Sequence, residues 1–406
     1  MSKNKDEEPK QGRIEFKFPM LTVRTQAFLK LYDRLGSYRA SRPLAWVALI
    51  IMPIVAGFGI FLISTSLINL LTMPEVREVA RELGPQAYIL LPGINPYLPI
   101  FFGWMGIVVA IAVHEGAHGV IARSLGFRVK SSGLLFILAI PIGAFVDVDE
   151  VEIEKAKARD SVRVLAAGHG ANIAIALICI SAVTIITAGL NPVIDGLYVA
   201  DVLEDMPAEK AGLSVGDVII GLDDKPVTLL NDFTATLKSK KPGDTVYVTV
   251  ARGEKWKERI SIPVGTIERE GKAFLGVSLG EMLIEQRLET YRTLATKTPF
   301  IHFVPPTLAS NMVPFSEALN AFYTHALGEQ WHILANILFW LWFVNVNLAI
   351  FNALPIYPLD GGQAFKFFLR NVMGHRFGEK VVTRITVAVT VAMAGMIALM
   401  IIFPYI

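Results

Sequence analysis

Apolar positions along this chain gather into five long runs, each on the scale of a bilayer crossing, about 20 residues. Leu44–Leu71 is the first. Leu98–Val113 continues through a short ionisable cluster towards Arg123 and makes the second. Val164–Ile194 is the third, Ile333–Leu359 the fourth and Ile385–Ile406 the last. The pattern predicts helices that are apolar all round, as membrane spans are.

Two stretches fit neither a span nor a plain loop. SSGLLFILAIPIGAFVDVDE, Ser131–Glu150, is uncharged from Ser131 to Val146, which is short for a helical span. Its Pro141-Ile142-Gly143 break predicts a hairpin turn between two apolar strands. At membrane depth such a hairpin is tolerable only with its backbone groups paired inside protein or with a bound peptide. Thr298–Ser316 is apolar, but Pro305, Pro306 and Pro314 break any helix there, which predicts an interfacial segment or lid. Between the third and fourth spans, alternating Tyr198–Glu204 and Thr245–Arg252 predict strands. Asn231–Ser239 predicts a helix, and Pro242-Gly243-Asp244 a turn.

The expected fold is a polytopic α-helical membrane protein with a re-entrant β-hairpin and an inserted soluble α+β domain. Its parts are a cytoplasmic segment at 1–43, a first transmembrane helix at 44–72 and a first part of a membrane core at 98–194. The soluble domain at 196–280, an external linker or lid at 281–330, a second part of the core at 331–365 and a last transmembrane helix at 381–406 follow. Residues 1–43 are polar and mixed, without the short apolar core of a signal peptide, so the first span is expected to target the chain.

Composition agrees with this. Hydrophobic residues make up 53% of the 406 and charged ones 18%, against about 45–50% and about 25% in soluble domains; mean hydropathy is +0.49. A net charge of +2 carries no nucleic-acid footprint. A single cysteine, Cys179, excludes an internal disulfide framework and a zinc site built from cysteines. Lysine and arginine set the orientation. They are dense before the first span, between the second and third (Arg123, Arg128, Lys130, Lys155, Lys157, Arg159, Arg163) and after the fourth (Lys366, Arg370, Arg376, Lys380, Arg384). That distribution predicts a cytoplasmic N-terminus, an external 195–330 region and an external C-terminus.

The ionisable cluster in the second run is HEGAH. His114 and His118 lie four residues apart, one turn apart on one helix face. Two imidazoles at that spacing can bind one zinc ion, and Glu115 between them can act on water. A pair of exposed histidines at a helix end would give the same letters. Burying ionisable groups in an apolar run is costly, however, and marks function. A catalytic zinc takes a third protein ligand. Asp360, at the end of FNALPIYPLDGG, is one candidate, although an aspartate before Gly361-Gly362 can equally be a helix-start residue. His169, His302, His325 and His332 compete. His332 begins the fourth span, at the end opposite Asp360; His169 stays open.

HEGAH together with Asn352, Pro355, Leu359, Asp360 and Gly361 resembles the site-2 protease family of intramembrane zinc metalloproteases, whose second motif is N-x-x-P-x-x-x-L-D-G. The resemblance runs from about Leu98 to Gln363. It includes a re-entrant β-loop after the HExxH helix and a Gly-x-x-x-Asn segment, here Gly168 and Asn172. The family often has proline after that glycine, where this chain has His169. Met206–Val227 resembles the S-P-A-x-x-A-G-L-x-x-G-D-x-I pattern of PDZ domains, with Met206 in place of serine, and Ala273–Val277 is a candidate groove strand.

The resemblance implies one Zn²⁺ per chain, held by His114, His118 and Asp360, with Glu115 as general base. Asn352 would bond the substrate backbone or the developing oxyanion; Asn345 and Asn347 read as helix-packing residues. The hairpin, with Gly133, Leu134, Leu135, Phe136 and Ile137, would take up an unwound substrate strand by β-augmentation. The implied activity is hydrolysis of peptide bonds within or near transmembrane segments, in regulated intramembrane proteolysis. The implied partners are transmembrane protein substrates, membrane lipid, and a peptide or ectodomain at the PDZ domain, with no nucleic acid. The expected location is the plasma membrane, with the catalytic site near the cytoplasmic side and the PDZ domain outside. A catalytically silent PDZ scaffold and a metal-ion transporter are the alternatives.

Overall fold

A computed structural model describes residues 14–96, 98–137, 140–269, 271–281 and 320–406. The predicted lid at 298–316 lies outside the described residues. The chain divides into two units, Met1–Ile180 with Ile337–Ile406, and Ser181–Asn336.

The first unit opens with structure that the polar N-terminal segment did not announce. Strands β1 (Ile14–Lys17) and β2 (Met20–Thr25) form a hairpin, and a short helix α1 (Leu29–Gly36) follows. Then come α2 (Ser41–Thr72), α3 (Pro74–Leu83) and α4 (Ile100–Ser124). Strands β3 (Val129–Ile137) and β4 (Ile140–Val148) make an antiparallel hairpin, followed by α5 (Glu150–Lys155) and the long α6 (Ala158–Ala188). β2 pairs with β3, so the sheet order is β1-β2-β3-β4. Arg24 on β2 reaches across β3 to Asp147 on β4 at 3.2 Å and lies over the Phe145 ring at 4.9 Å.

The register corrects two sequence expectations. Ile137 pairs with Ile140, so Pro141–Gly143 lies inside β4 and is not the turn. Leu135 faces Gly143 while Phe136 faces Pro141, which leaves Ile142 as the extra residue of a bulge. A proline is accommodated at a bulge on an edge strand, where it breaks no ladder hydrogen bond. The second correction concerns Gly133, Leu134, Leu135, Phe136 and Ile137. They lie on β3, which is paired on both sides, to β2 through Arg24, Val23, Thr22, Leu21 and Met20 and to β4 on the other. A strand with two partners has no free backbone groups for a third, so β4 is the edge on this side of the sheet.

The second unit carries the soluble domain. Its strands are β5 (Leu197–Val202), β6 (Val218–Leu222), β7 (Thr245–Arg252), β8 (Glu258–Gly265) and β9 (Val277–Glu281), and its helices α7 (Pro207–Lys210) and α8 (Leu230–Lys238). The antiparallel order is β8-β7-β6-β5-β9. Inward-facing Leu197, Val199, Ile219, Leu222, Val246, Val248, Val250 and Val264 are fully buried, with Phe233 of α8 closing the core. Each such aliphatic side chain contributes about 1.5–3 kcal/mol on burial. Asp217, buried, accepts from both Nε and Nη2 of Arg252 at 2.7 and 2.6 Å, so its charge is matched two-pronged.

The chain returns to the first unit through α9 (Trp331–Ala353), α10 (Asp360–Phe377) and α11 (Glu379–Ile402). The fourth apolar run therefore does not reach Leu359 as one helix. Leu354–Leu359 is a break holding Pro355 and Pro358, and Asp360 opens a new helix. Among the described residues, α2, α4, α6, α9 and 379–405 are long and apolar enough to cross a membrane. Outward residues of α2 such as Ile50, Ile54, Phe61 and Ile68 are more than half exposed in the protein alone, as lipid-facing side chains are. Three asparagines of these helices donate to carbonyls: Asn172 to Ala110 O at 3.2 Å across α6 and α4, and Asn345 and Asn347 to Leu341 O and Phe343 O of their own helix.

Candidate metal centre

Helix α4 presents His114 and His118 on one face because they are four residues apart, and both are buried. The α9–α10 break delivers Asp360 to the same point from 246 positions away. Asp360 Oδ2 lies 2.9 Å from His114 Nε2 and 3.1 Å from His118 Nε2. The break has the tightness this needs. A Cβ on Gly361 would stand 2.1 Å from Ala353 O and 2.4 Å from Leu354 O, so the chain turns back on itself closely enough to admit only glycine.

His118 Nδ1 lies 2.7 Å from Val164 O on α6. A carbonyl can only accept, so Nδ1 carries the hydrogen. A neutral His118 then turns the bare lone pair of Nε2 onto a carboxylate oxygen. Two acceptors at 3.1 Å need a cation or a proton between them. Two ligands at about 2.0–2.1 Å from a tetrahedral zinc stand about 3.3 Å apart, a few tenths more than the separations here. Two imidazoles and one carboxylate are also the donor set of an open catalytic zinc site. The residues fit zinc, and the Val164 carbonyl fixes the tautomer of His118 in the way an outer partner does for a metal-binding histidine.

Glu115 points to the same place. One ligand atom from each of His114, Glu115 and His118 lies within 4.8 Å of the others. Glu115 Oε2 accepts from Val146 N of β4 at 3.0 Å, so the carboxylate stands between the imidazoles and the edge strand. His169 does not join this set. It is fully buried, its Nδ1–H donates to Leu165 O at 3.1 Å, and its ring meets that of His114 edge-on with centroids 5.4 Å apart. Of the other competing histidines, His325 accepts from Leu327 N at 3.0 Å, His332 donates to Glu329 O at 3.1 Å, and His302 lies outside the described residues. Asn352 is half-buried in the last turn of α9, its backbone against His169.

Two contributors carried no signal in the sequence. The backbone groups of Val164 and Val146 act through position alone. Gly168 packs against His114: a Cβ there would lie 2.5–2.6 Å from three atoms of the imidazole.

With the geometry established, comparison with known proteins is informative. The model of peptidase family M50 matches residues 102–394. An uncharacterized protein of Methanocaldococcus jannaschii is 26% identical over 362 residues, covering 88% of this chain and 80% of its own. A protein of Clostridium perfringens, provisionally named a zinc metalloprotease, is 24% identical over 342 residues, covering 75% of this chain and 99% of its own. The crystal structure of the PDZ domain of an SdrC-like protein from Listeria monocytogenes is 33% identical, covers 21% of this chain and 88% of that one, and has a TM-score of 0.19.

Proposed function

The chain belongs to peptidase family M50, and from that membership we propose that His114, His118 and Asp360 hold one zinc ion beside Glu115 as general base. The protein is an intramembrane zinc metalloprotease, and we read its inserted domain, from the Met206–Val227 pattern, as a PDZ domain. The observation that carries the residue assignment is the convergence of two imidazoles and Asp360 Oδ2 within 3.1 Å, next to the Glu115 carboxylate.

Zinc bound there supplies Lewis acidity, polarising the scissile carbonyl and acidifying water. Glu115 takes the proton of the attacking water and hands it to the leaving amine. Asn352 donates to the substrate backbone or to the developing oxyanion. The Val164 carbonyl keeps His118 oriented throughout.

A membrane-spanning substrate hides its peptide bonds in helical hydrogen bonds and must be unwound to be cut. We assign the receiving edge to β4, dipping into the membrane as part of a re-entrant hairpin. What supports this is its terminal place in the sheet and the Val146–Glu115 hydrogen bond, which puts that edge beside the base. By alternation from Val146, the N–H of Ala144 also points off the sheet. Ala144→Pro removes that donor without breaking a bond to β3. It is expected to raise KM for a transmembrane substrate about 2–10-fold, the worth of one hydrogen bond, with kcat little changed. An unaltered KM would take β4 out of the substrate path.

The arginines and lysines after α4 and around α10 support an active site near the cytoplasmic face, with the PDZ domain external and the chain in the plasma membrane. There the PDZ domain would bind a trimmed end or a substrate ectodomain and act as a filter before cleavage. The boundaries proposed for it are 196–280, with the catalytic core on either side at 98–194 and 331–365.

The deciding experiment is cleavage of a single-span substrate by the purified chain in detergent, before and after zinc is stripped with a chelator. Activity is expected to vanish and to return with zinc but not with magnesium, which disfavours imidazole ligands. Cleavage that survives stripping would refute the metal assignment. Zinc retained without cleavage by the untreated chain would favour the scaffold, and zinc flux into liposomes the transporter.

A further inference from the structure

At the far end of α4 from the apolar entry of its span lies a cavity of about 450 Å³, lined by Asp33, Tyr38, Arg39, Arg42, Arg123 and Ser124 among others. Its charge is lopsided, three guanidinium groups against one carboxylate. Among the described residues, the Arg42 guanidinium donates through its Nε alone, to Ser124 O at 3.2 Å. Arg123 pairs with Asp33, its Nε 3.0 Å from Oδ1 but not aligned for a hydrogen bond, and its Nη2 donates to Val129 O at 3.4 Å. The fork-shaped faces of these guanidiniums match a tetrahedral oxyanion.

Position narrows the ligand further. α2 begins at Ser41 and α4 ends at Ser124, so the cavity lies at the ends of two membrane-crossing helices, where lipid headgroups are. Beside it, Phe28 at the start of α1 and Leu31 and Leu35 on one side of it are 50%, 47% and 36% exposed, next to Lys30 and Arg34. An apolar stripe flanked by basic residues at a span's edge is the pattern of a helix lying in the interface. We propose that this cavity binds the phosphate of an anionic phospholipid, with acyl chains covering the apolar side of α1. The site is independent of the protease chemistry. It nevertheless rests on Arg123 and Ser124, the last residues of the helix that carries His114 and His118.

The test uses the full chain, extracted from vesicles of equimolar phosphatidylcholine and phosphatidylglycerol, with retained lipid counted by native mass spectrometry. Wild type is expected to retain phosphatidylglycerol over phosphatidylcholine. R39Q/R42Q is expected to lower that preference about thirtyfold, on the scale of two basic residues at an anionic surface, while R39K/R42K, which keeps the charge and loses the fork, should fall between the two. R39Q alone, at an exposed side chain, guards against misfolding and should lose about fivefold. D33N, which removes the opposing carboxylate, should strengthen retention. Equal retention by wild type and R39Q/R42Q would overturn the proposal, and so would displacement of the lipid by inorganic phosphate, which would make the site one for free phosphate.

Discussion

Glu115→Gln is expected to lower cleavage of a transmembrane substrate by about 10²–10⁴-fold while zinc content stays at the wild-type level. The two halves of this result have separate causes. The proposed ligands are His114, His118 and Asp360, none of which is touched by the change. The amide oxygen of glutamine can still accept from Val146 N, so the contact that holds β4 to α4 survives. What is lost is the capacity to take a proton. Glu115→Ala removes the acceptor as well and should add a disturbance of the hairpin, visible as a raised KM. Zinc assay and single-turnover cleavage on the same preparations decide it. Substantial cleavage by Glu115→Gln would remove Glu115 from the base's role; loss of zinc in the same variant would make it a ligand.

Gly168→Ala is the second large effect, and it comes from a residue with no chemistry of its own. The added methyl would stand 2.5–2.6 Å from Cε1, Nδ1 and Nε2 of His114. His114 is 4% exposed, so its ring cannot swing aside into open space. It must rotate, and rotation takes Nε2 away from Asp360. Misorienting one ligand is expected to weaken zinc binding about 10–100-fold, the range seen when outer partners of metal ligands are lost. Gly116→Ala is the control. It lies inside the HEGAH motif, yet nothing stands within 4 Å of its Cβ position, and alanine is the better helix former by up to about 1 kcal/mol. Chelator competition should show wild-type zinc affinity for Gly116→Ala and a clear loss for Gly168→Ala. Equal affinities would mean that α6 and α4 separate easily enough to admit the methyl, and that Gly168 does not hold the ligand in place.

The contrast between these two glycines shows where sequence reading reaches its limit. Gly116 stands within the motif and is spatially free; Gly168 stands outside it and is spatially pinned. The same holds for the strands. Met20–Thr25 is short, and its partner Ser132–Ile137 is more than a hundred positions away, so no local period could join them. Without that pairing, nothing local tells which strand of the hairpin is paired on both sides. The break at Leu354–Leu359 is legible as two prolines, but not as a tight return that carries Asp360 to α4.

By itself the sequence determined what depends on composition and short spacing. Those are the apolar runs long enough to cross a bilayer, the two imidazoles that a helical turn places on one face, and the aspartate and glycines of the second motif. Only the tertiary structure decided what depends on approach between distant segments. It set Asp360 against His114 and His118, turned His118 with the Val164 carbonyl, left His169 behind His114 as a packing neighbour, and made β4 the open edge. Local patterning fixes which side chains share a face, because helix and strand periods are properties of neighbouring residues. Which faces then meet is settled by packing and backbone pairing over the whole chain, and that information is spread across hundreds of positions.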